Sequence, residues 1–199
     1  MNLQLLKENI EEIDIYILDQ ILKGNYQQNE TILDAGCGSG RNLKWFYNAG
    51  YTIYGIDKNF DDIEYCKKVY ANQETHFKQA SLENIPFAEN SFDHVLCNAV
   101  LHFAEDLSQY LRMFQELLRI LKPQGTLFIR TASIFGLEKE VEHIFKGVYN
   151  LPDGSQRFLL TKEILEDIMN TNSIQLLEDV KTTIVKDKRC MTTLVLKKE

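Results

Sequence analysis

The segment Thr31-Ile32-Leu33-Asp34-Ala35-Gly36-Cys37-Gly38-Ser39-Gly40 constrains the fold more than any other stretch of the chain. A short apolar strand runs into a turn with glycine at every second position, and a helical pattern opens behind it, over Arg41 to Asn48. Glycine permits the sharp turn and, having no Cβ, lets a ligand approach the backbone. A helix that starts there presents free N–H groups and the positive end of its dipole.

The rhythm around this turn repeats. Tyr51 to Ile56 reads as a second strand ending in Asp57, and a helix follows from Phe60 to Tyr70. His76-Phe77-Lys78 is a shorter strand. Pro86, Asn90 and Ser91 mark a loop, and Phe92 to Asn98 is a fourth strand. A helix from Asp106 to Leu121 ends at Pro123, and Gly125 to Arg130 is a fifth strand. Strands alternating with helices predict an α/β fold, a mostly parallel sheet with helices on both faces. Before this run, Leu6, Ile10, Ile13, Ile17 and Ile21 stand at helical spacing with Glu8, Glu11, Glu12 and Asp19 between them. This predicts one amphipathic helix stopped by Gly24 and Asn25. After it, Thr161 caps a helix to about Asn170. Two extended stretches follow, Ile174 to Val185 and Met191 to Lys197, joined at Asp187-Lys188-Arg189 as a hairpin that brings an antiparallel strand into the sheet.

A chain of 199 residues fits one domain, residues 1–199. Within it we expect an N-terminal helix over 1–24, a cofactor-binding core over 30–132, a cap over an acceptor site at 133–160, and a C-terminal helix and hairpin over 161–199. No apolar run approaches the ~20 residues that cross a bilayer. Carboxylates follow Met1 closely, unlike a signal peptide, so a cytoplasmic protein is expected. Cys37, Cys66, Cys97 and Cys190 lack metal or redox spacing and read as free thiols. A net charge of -7 disfavours binding to a phosphate backbone, so no nucleic-acid partner is expected.

The glycine turn with Asp57 at the end of the next strand points to a nucleoside-containing ligand, the acid accepting from the two ribose hydroxyls. A dinucleotide fingerprint would place its third glycine where Arg41 stands, and a Walker loop would need Lys and Ser or Thr after Gly40. A nicotinamide-dependent oxidoreductase is thereby disfavoured, though this pattern by itself does not name the ligand.

Asp34-Ala35-Gly36-Cys37-Gly38-Ser39-Gly40 resembles the first motif of class I S-adenosylmethionine-dependent methyltransferases. Asp57 falls at the acidic second motif. Ser81 to Phe87 resembles the loop after the third strand, Ser91 to Phe103 the fourth motif, and Leu121 to Leu127 the entry to the fifth strand. The resemblance implies a Rossmann-like sheet of seven strands with the last antiparallel, and S-adenosyl-L-methionine as cofactor, with S-adenosyl-L-homocysteine as product. It implies that Gly36, Cys37, Gly38 and Gly40 form the cradle for the methionine part, with Asp34 beneath. Asp57 would take the ribose, Ser81 and Leu82 the adenine edge, and Asn98 and Ala99 the space below the methyl group. Arg41 and Asn42, with Lys58 after Asp57, resemble the tellurite-resistance and thiopurine-type branch, where an arginine reaches the cofactor carboxylate. Ser81 departs from the aspartate common at the adenine position, and a hydroxyl accepts without charge assistance.

The resemblance further implies methyl transfer, and since the family's fold does not choose among acceptors, it is the compact size that favours a small molecule; a non-catalytic sensor that binds the cofactor is the alternative. His102, just after the fourth strand, is the candidate acceptor contact or base. Phe135, Phe145, Tyr149 and Phe158 suggest an aromatic pocket in the cap, with Arg157 and Tyr149 as its polar groups. His143 reads as the solvated face of a helix with Glu140 and Glu142. The N-terminal helix is placed to act as a lid, with Tyr16 toward the cofactor. No metal site is expected.

Overall fold

The computed structural model describes residues 3–10 and 12–199. Met1, Asn2 and Glu11 lie outside the described residues, and with them part of the N-terminal expectation.

The central strands are β1 (Thr31–Ala35), β2 (Thr52–Asp57), β3 (Phe77–Gln79), β4 (Phe92–Asn98) and β5 (Leu121–Ser133). They pair in parallel in the order β3-β2-β1-β4-β5. The sheet continues through β11 (Arg189–Lys198), antiparallel to β5, and β10 (Lys181–Val185), antiparallel to β11. This is the seven-stranded, mostly parallel sheet expected, closed by the C-terminal hairpin. Ile174–Leu176 forms β9, which pairs with the far end of β11, so the first of the two extended stretches is two strands.

Residues buried on both faces hold the layers together. Leu33, Val95, Leu127 and Ile129 point to one side. There they meet Tyr110, Phe114 and Leu117 of α5 (Leu107–Ile120) and Ile168 of α6 (Lys162–Thr171). Ile32, Ile53, Leu96 and Phe128 point to the other. There they meet Ile17 of α2 (Ile15–Leu22), Phe46 of α3 (Lys44–Asn48) and Ile63 of α4 (Phe60–Val69). Alternation along each strand sends neighbours to opposite faces, so both faces of a parallel sheet become apolar.

Three expectations are corrected. The N-terminal segment is two helices, α1 (Leu3–Ile10) and α2, not one. Asp14 breaks it, its side chain accepting from the Tyr16 N–H as the N-cap of α2. Apolar spacing runs on through such a break, because a cap changes direction without changing period. Second, the helix behind the glycine turn starts at Lys44 rather than Arg41, after a turn in which the Leu43 N–H donates to the Gly40 carbonyl at 2.9 Å. The first helical N–H groups are therefore displaced from the glycines. Third, His143 lies on a strand. Glu142–Phe145 (β6), Val148–Asn150 (β7) and Gln156–Phe158 (β8) form a separate antiparallel sheet between β5 and α6. It is tied to the end of β5, the Leu160 N–H donating to the Ala132 carbonyl at 3.1 Å.

Candidate functional site

β1, β2 and β4 end side by side, and their last residues and following loops enclose a cavity of about 520 Å³. A ligand cleft outside the carboxyl ends of parallel strands, where strand order reverses, is the general arrangement of open α/β sheets. Here the reversal falls at β1, whose neighbours are β2 and β4.

The glycine turn forms one wall. The Gly36 and Cys37 N–H groups both donate to the Ile56 carbonyl, at 2.8 and 2.9 Å, which pins the turn to the end of β2. Gly36 has φ +83°, and a Cβ there would lie 2.3 Å from Val100 Cγ2. Left-handed strain and the clash together should cost Gly36→Ala about 2–4 kcal/mol of stability. Melting should fall by roughly 5–10 °C in thermal denaturation; an unchanged midpoint would show that the turn is not held as described.

Asp57 closes the opposite side. Its Oδ2 accepts from the Gly38 N–H and its Oδ1 from the Asn59 N–H, both at 2.9 Å. Two fixed donors leave each oxygen with a lone pair free and set the carboxylate's direction in advance. Ser81 Oγ accepts from the Glu83 N–H at 3.2 Å, so this hydroxyl is partly used by its own turn. Leu82 and Met113 supply apolar wall beside it.

Of the residues expected to bind cofactor, Gly36, Cys37, Gly38, Arg41, Asn42, Asp57, Lys58, Ser81, Leu82, Asn98 and Ala99 line this cavity. Gly40 and Asp34 do not. Gly40 instead faces Tyr70, whose hydroxyl donates to the Gly40 carbonyl at 2.7 Å. Asp34 is fully buried one layer behind the wall. Neither of its carboxylate oxygens has a hydrogen-bond partner among the described residues, and the same holds for both polar side-chain atoms of Asn98. Burial pushes the Asp34 carboxyl up to about 7, against the pull of the Arg41 charge and of the nearby Asn42 amide, which stops short of hydrogen-bonding geometry. Unpaired buried polar groups at a cavity end mark a place where a ligand completes the bonding.

Arg41 and Asn42 have structural partners. Arg41 donates to the Glu12 carbonyl, and Asn42 Oδ1 accepts from the Asp14 N–H at 3.1 Å, so both tie the segment before α2 to the chain just after the glycine turn. Tyr16 does not line the cavity. Its hydroxyl is hydrogen-bonded to Thr183 Oγ1 on β10, and the Arg130 guanidinium lies 5.3 Å from its ring centre. Val100, Phe103, Glu83 and Gln109 line the cavity without having been expected. Glu83 comes from the loop after β3, Val100 and Phe103 from the 3₁₀ turn Leu101–Phe103 and the residue before it, and Gln109 from the first turn of α5.

His102 faces a different, adjoining cavity. Its Nδ1 accepts from the Ala132 N–H at 3.2 Å, and burial, with Arg157 and Arg130 nearby, lowers its pKa to about 4. The ring is therefore neutral at pH 7 with its proton on Nε2, which leaves no free lone pair to act as a base. The aromatic pocket expected in the cap does not form. Phe158 stacks on Tyr110 in the core at 4.6 Å, Phe145 is exposed, and Tyr149 packs edge-on against His143. A broader depression along the outer face of α5 has its charged residues paired with one another, Arg112 with Glu83 and Arg119 with Glu116. No cluster of metal-ligating side chains occurs among the described residues, and none of their helices is long and apolar enough to cross a membrane.

Residues 33–129 match the family model described as a methyltransferase domain. Over this stretch, about half of the chain, the match supports a class I S-adenosylmethionine-dependent methyltransferase domain. The cofactor of that family is S-adenosyl-L-methionine. An uncharacterized methyltransferase of Bacillus subtilis (strain 168), YodH, is 38% identical over 101 residues, 50% of this chain and 42% of that protein. A malonyl-[acyl-carrier protein] O-methyltransferase of Enterobacter lignolyticus is 27% identical over 139 residues, covering 70% of this chain and 52% of that protein. The chain thus spans about half the length of these curated relatives. In fold it is similar to the crystal structure of a methyltransferase from Methanosarcina mazei, with a TM-score of 0.72 and 21% identity over 89% of this chain and 96% of that one. The resemblance to the tellurite-resistance and thiopurine-type branch finds no support in these matches.

Proposed function

We propose that this chain transfers a methyl group from S-adenosyl-L-methionine to a small-molecule acceptor, with the cofactor in the cavity between the glycine turn and Asp57. The observation that carries this is the set of incomplete polar groups at that cavity. Asp57 offers two oriented acceptors to a ribose diol. Asn98 is unpaired on the wall, and Asp34 adds an unpaired carboxylate behind it, where an ammonium group would be stabilised. Gly38 leaves its stretch of wall open, since a Cβ there would meet nothing within 4 Å.

When bound, the cofactor supplies a methyl group already activated on a sulfonium, displaced in line by the acceptor while the carbon–sulfur electron pair stays on sulfur. The chain's residues then have binding and aiming to do. Asp57 and the glycine turn fix the nucleoside end, Leu82 and Met113 pack against the base, and Ser81 offers the proton of its hydroxyl to the adenine edge. Asn98 and Ala99 would place the reacting end. No general base is assigned, because His102 carries its proton on the only nitrogen left free.

Incubation with methyl-labelled cofactor across oxygen, sulfur, nitrogen, carboxylate and metalloid acceptors tests this. Oxygen acceptors come first, given the O-methyltransferase named among the relatives. We expect label in at least one acceptor, and its loss in Asp57→Ala. Tight cofactor binding with no transfer to any acceptor would identify a sensor instead.

A further inference from the structure

The cavity that His102 faces has a volume of about 380 Å³, at the small end of ligand cavities. It shares one lining residue with the cofactor cavity. Ala99 lines both. The 3₁₀ turn Leu101–Phe103 divides them, with Phe103 on the cofactor side and His102 on the other, and Arg157 reaches back to lie 4.9 Å from the Phe103 ring centre.

Its polar wall is cationic in a chain whose net charge is -7. Arg130 comes from β5, Arg157 from β8 and Arg189 from the start of β11, so three distant segments converge on one space. Arg130 is paired with Asp14 at 3.3 Å, yet its Nε is buried without a partner. The Arg189 guanidinium has no hydrogen-bond partner among the described residues, and Arg157 donates only to the neighbouring Gln156 carbonyl. Asp153 is the single carboxylate on the wall. His102 adds a neutral donor, since its Nδ1 is occupied by the Ala132 N–H and its Nε2 bears the proton. The rest of the lining includes Leu151, Val185 and Met191, which suit an apolar body.

We propose that this cavity is the acceptor pocket and that it selects a small carboxylate-bearing molecule, anchored by Arg157 and Arg189 with the Nε2–H of His102. The inference rests on the methyltransferase reading, which places the reacting end of the cofactor at Ala99. Guanidinium groups bind carboxylates through paired N–H donors, and Arg130 Nε, buried without a partner, marks the inner end of the pocket as short of an acceptor. Three arginines set against Asp153 and Asp14 leave a surplus of one positive charge, which matches a monoanion better than a phosphate dianion.

The test is calorimetric titration of the full chain, loaded with S-adenosylhomocysteine. The titrants are phenylacetate, benzoate, hexanoate and succinate, each matched with its primary amide, with phenyl phosphate as a third arm. We expect at least one carboxylate to saturate the protein and to bind at least about tenfold more tightly than its amide, the loss that a missing charged hydrogen-bond partner brings. Arg189→Met should weaken that carboxylate by about tenfold or more and leave S-adenosylhomocysteine affinity unchanged; Arg189 is exposed, so the variant folds. Arg157→Met should weaken it likewise. Equal binding of acid and amide, preference for phenyl phosphate, indifference to both substitutions, or saturation by no carboxylate would overturn the inference while leaving the cofactor site intact. Failure of S-adenosylhomocysteine itself to bind would overturn both.

Discussion

Asp34→Asn should make the empty protein more stable and the cofactor bind more weakly. The carboxyl is fully buried with no partner, and its pKa stands at about 7 against 3.8 for the free group. The unfolded chain ionises this group near pH 4, while the folded chain holds the proton until about pH 7. The folded state therefore loses stability to this residue as pH rises from about 4 to 7. Asparagine has no charge to bury, so at pH 8 the variant should gain roughly 2–4 kcal/mol and melt about 5–10 °C higher. Binding should move the other way. An ammonium group of the ligand favours the ionised form of Asp34, and losing that charge should weaken S-adenosylhomocysteine by about 30-fold, ~2 kcal/mol. In the wild-type chain, affinity should fall about tenfold from pH 8 to pH 6 as Asp34 takes up its proton, and in Asp34→Asn it should stay flat. Calorimetry at the two pH values checks this. A variant that melts lower and binds with the wild-type pH profile would show that Asp34 is a structural residue alone.

Asp57→Ala should have the larger effect on binding. The carboxylate does two jobs: it accepts from the Gly38 and Asn59 N–H groups, and it presents its remaining lone pairs to the cavity. Alanine removes the two charge-assisted bonds proposed to the ribose, about 2–4 kcal/mol, or roughly 30- to 1,000-fold in affinity. It also frees the Gly38 amide, so the glycine turn loses part of its support. Asp57→Asn keeps an acceptor for Gly38 and should recover part of the loss. Titration of S-adenosylhomocysteine into both variants, with thermal melts alongside, separates the roles: a turn-holding role alone would appear in the melts and not in the affinities.

The elements around the glycine turn and the cavity were legible because their signals are local. Strand, glycine turn and Asp57 lie within one β-α-β unit, where spacing along the chain and spacing in the fold are nearly the same thing. The 3₁₀ turn after β4 was less legible, since Val100 and Phe103 reach the cavity through a short irregular turn. The insertion after β5 misled for a definite reason. Residues 138–143 carry the Glu and Lys of a helix face, but pairing is decided by the turn Lys146-Gly147, with φ +42° and +96°, which is hairpin chemistry. The break at Asp14 had a readable signal, a capping residue inside an unbroken apolar period. Of Arg130, Arg157 and Arg189, only Arg157 stood out in the sequence, as a polar group of the cap. They come from three strands in two sheets and meet only once both have formed.

The most direct measurement is the paired titration of the wild-type chain with S-adenosylhomocysteine and with NAD at pH 8, repeated on Asp57→Ala. We predict saturable one-to-one binding of S-adenosylhomocysteine, little or no heat from NAD, and loss of the first signal in the variant. Tighter binding of NAD, or S-adenosylhomocysteine affinity unchanged by Asp57→Ala, would contradict the assignment of this cavity.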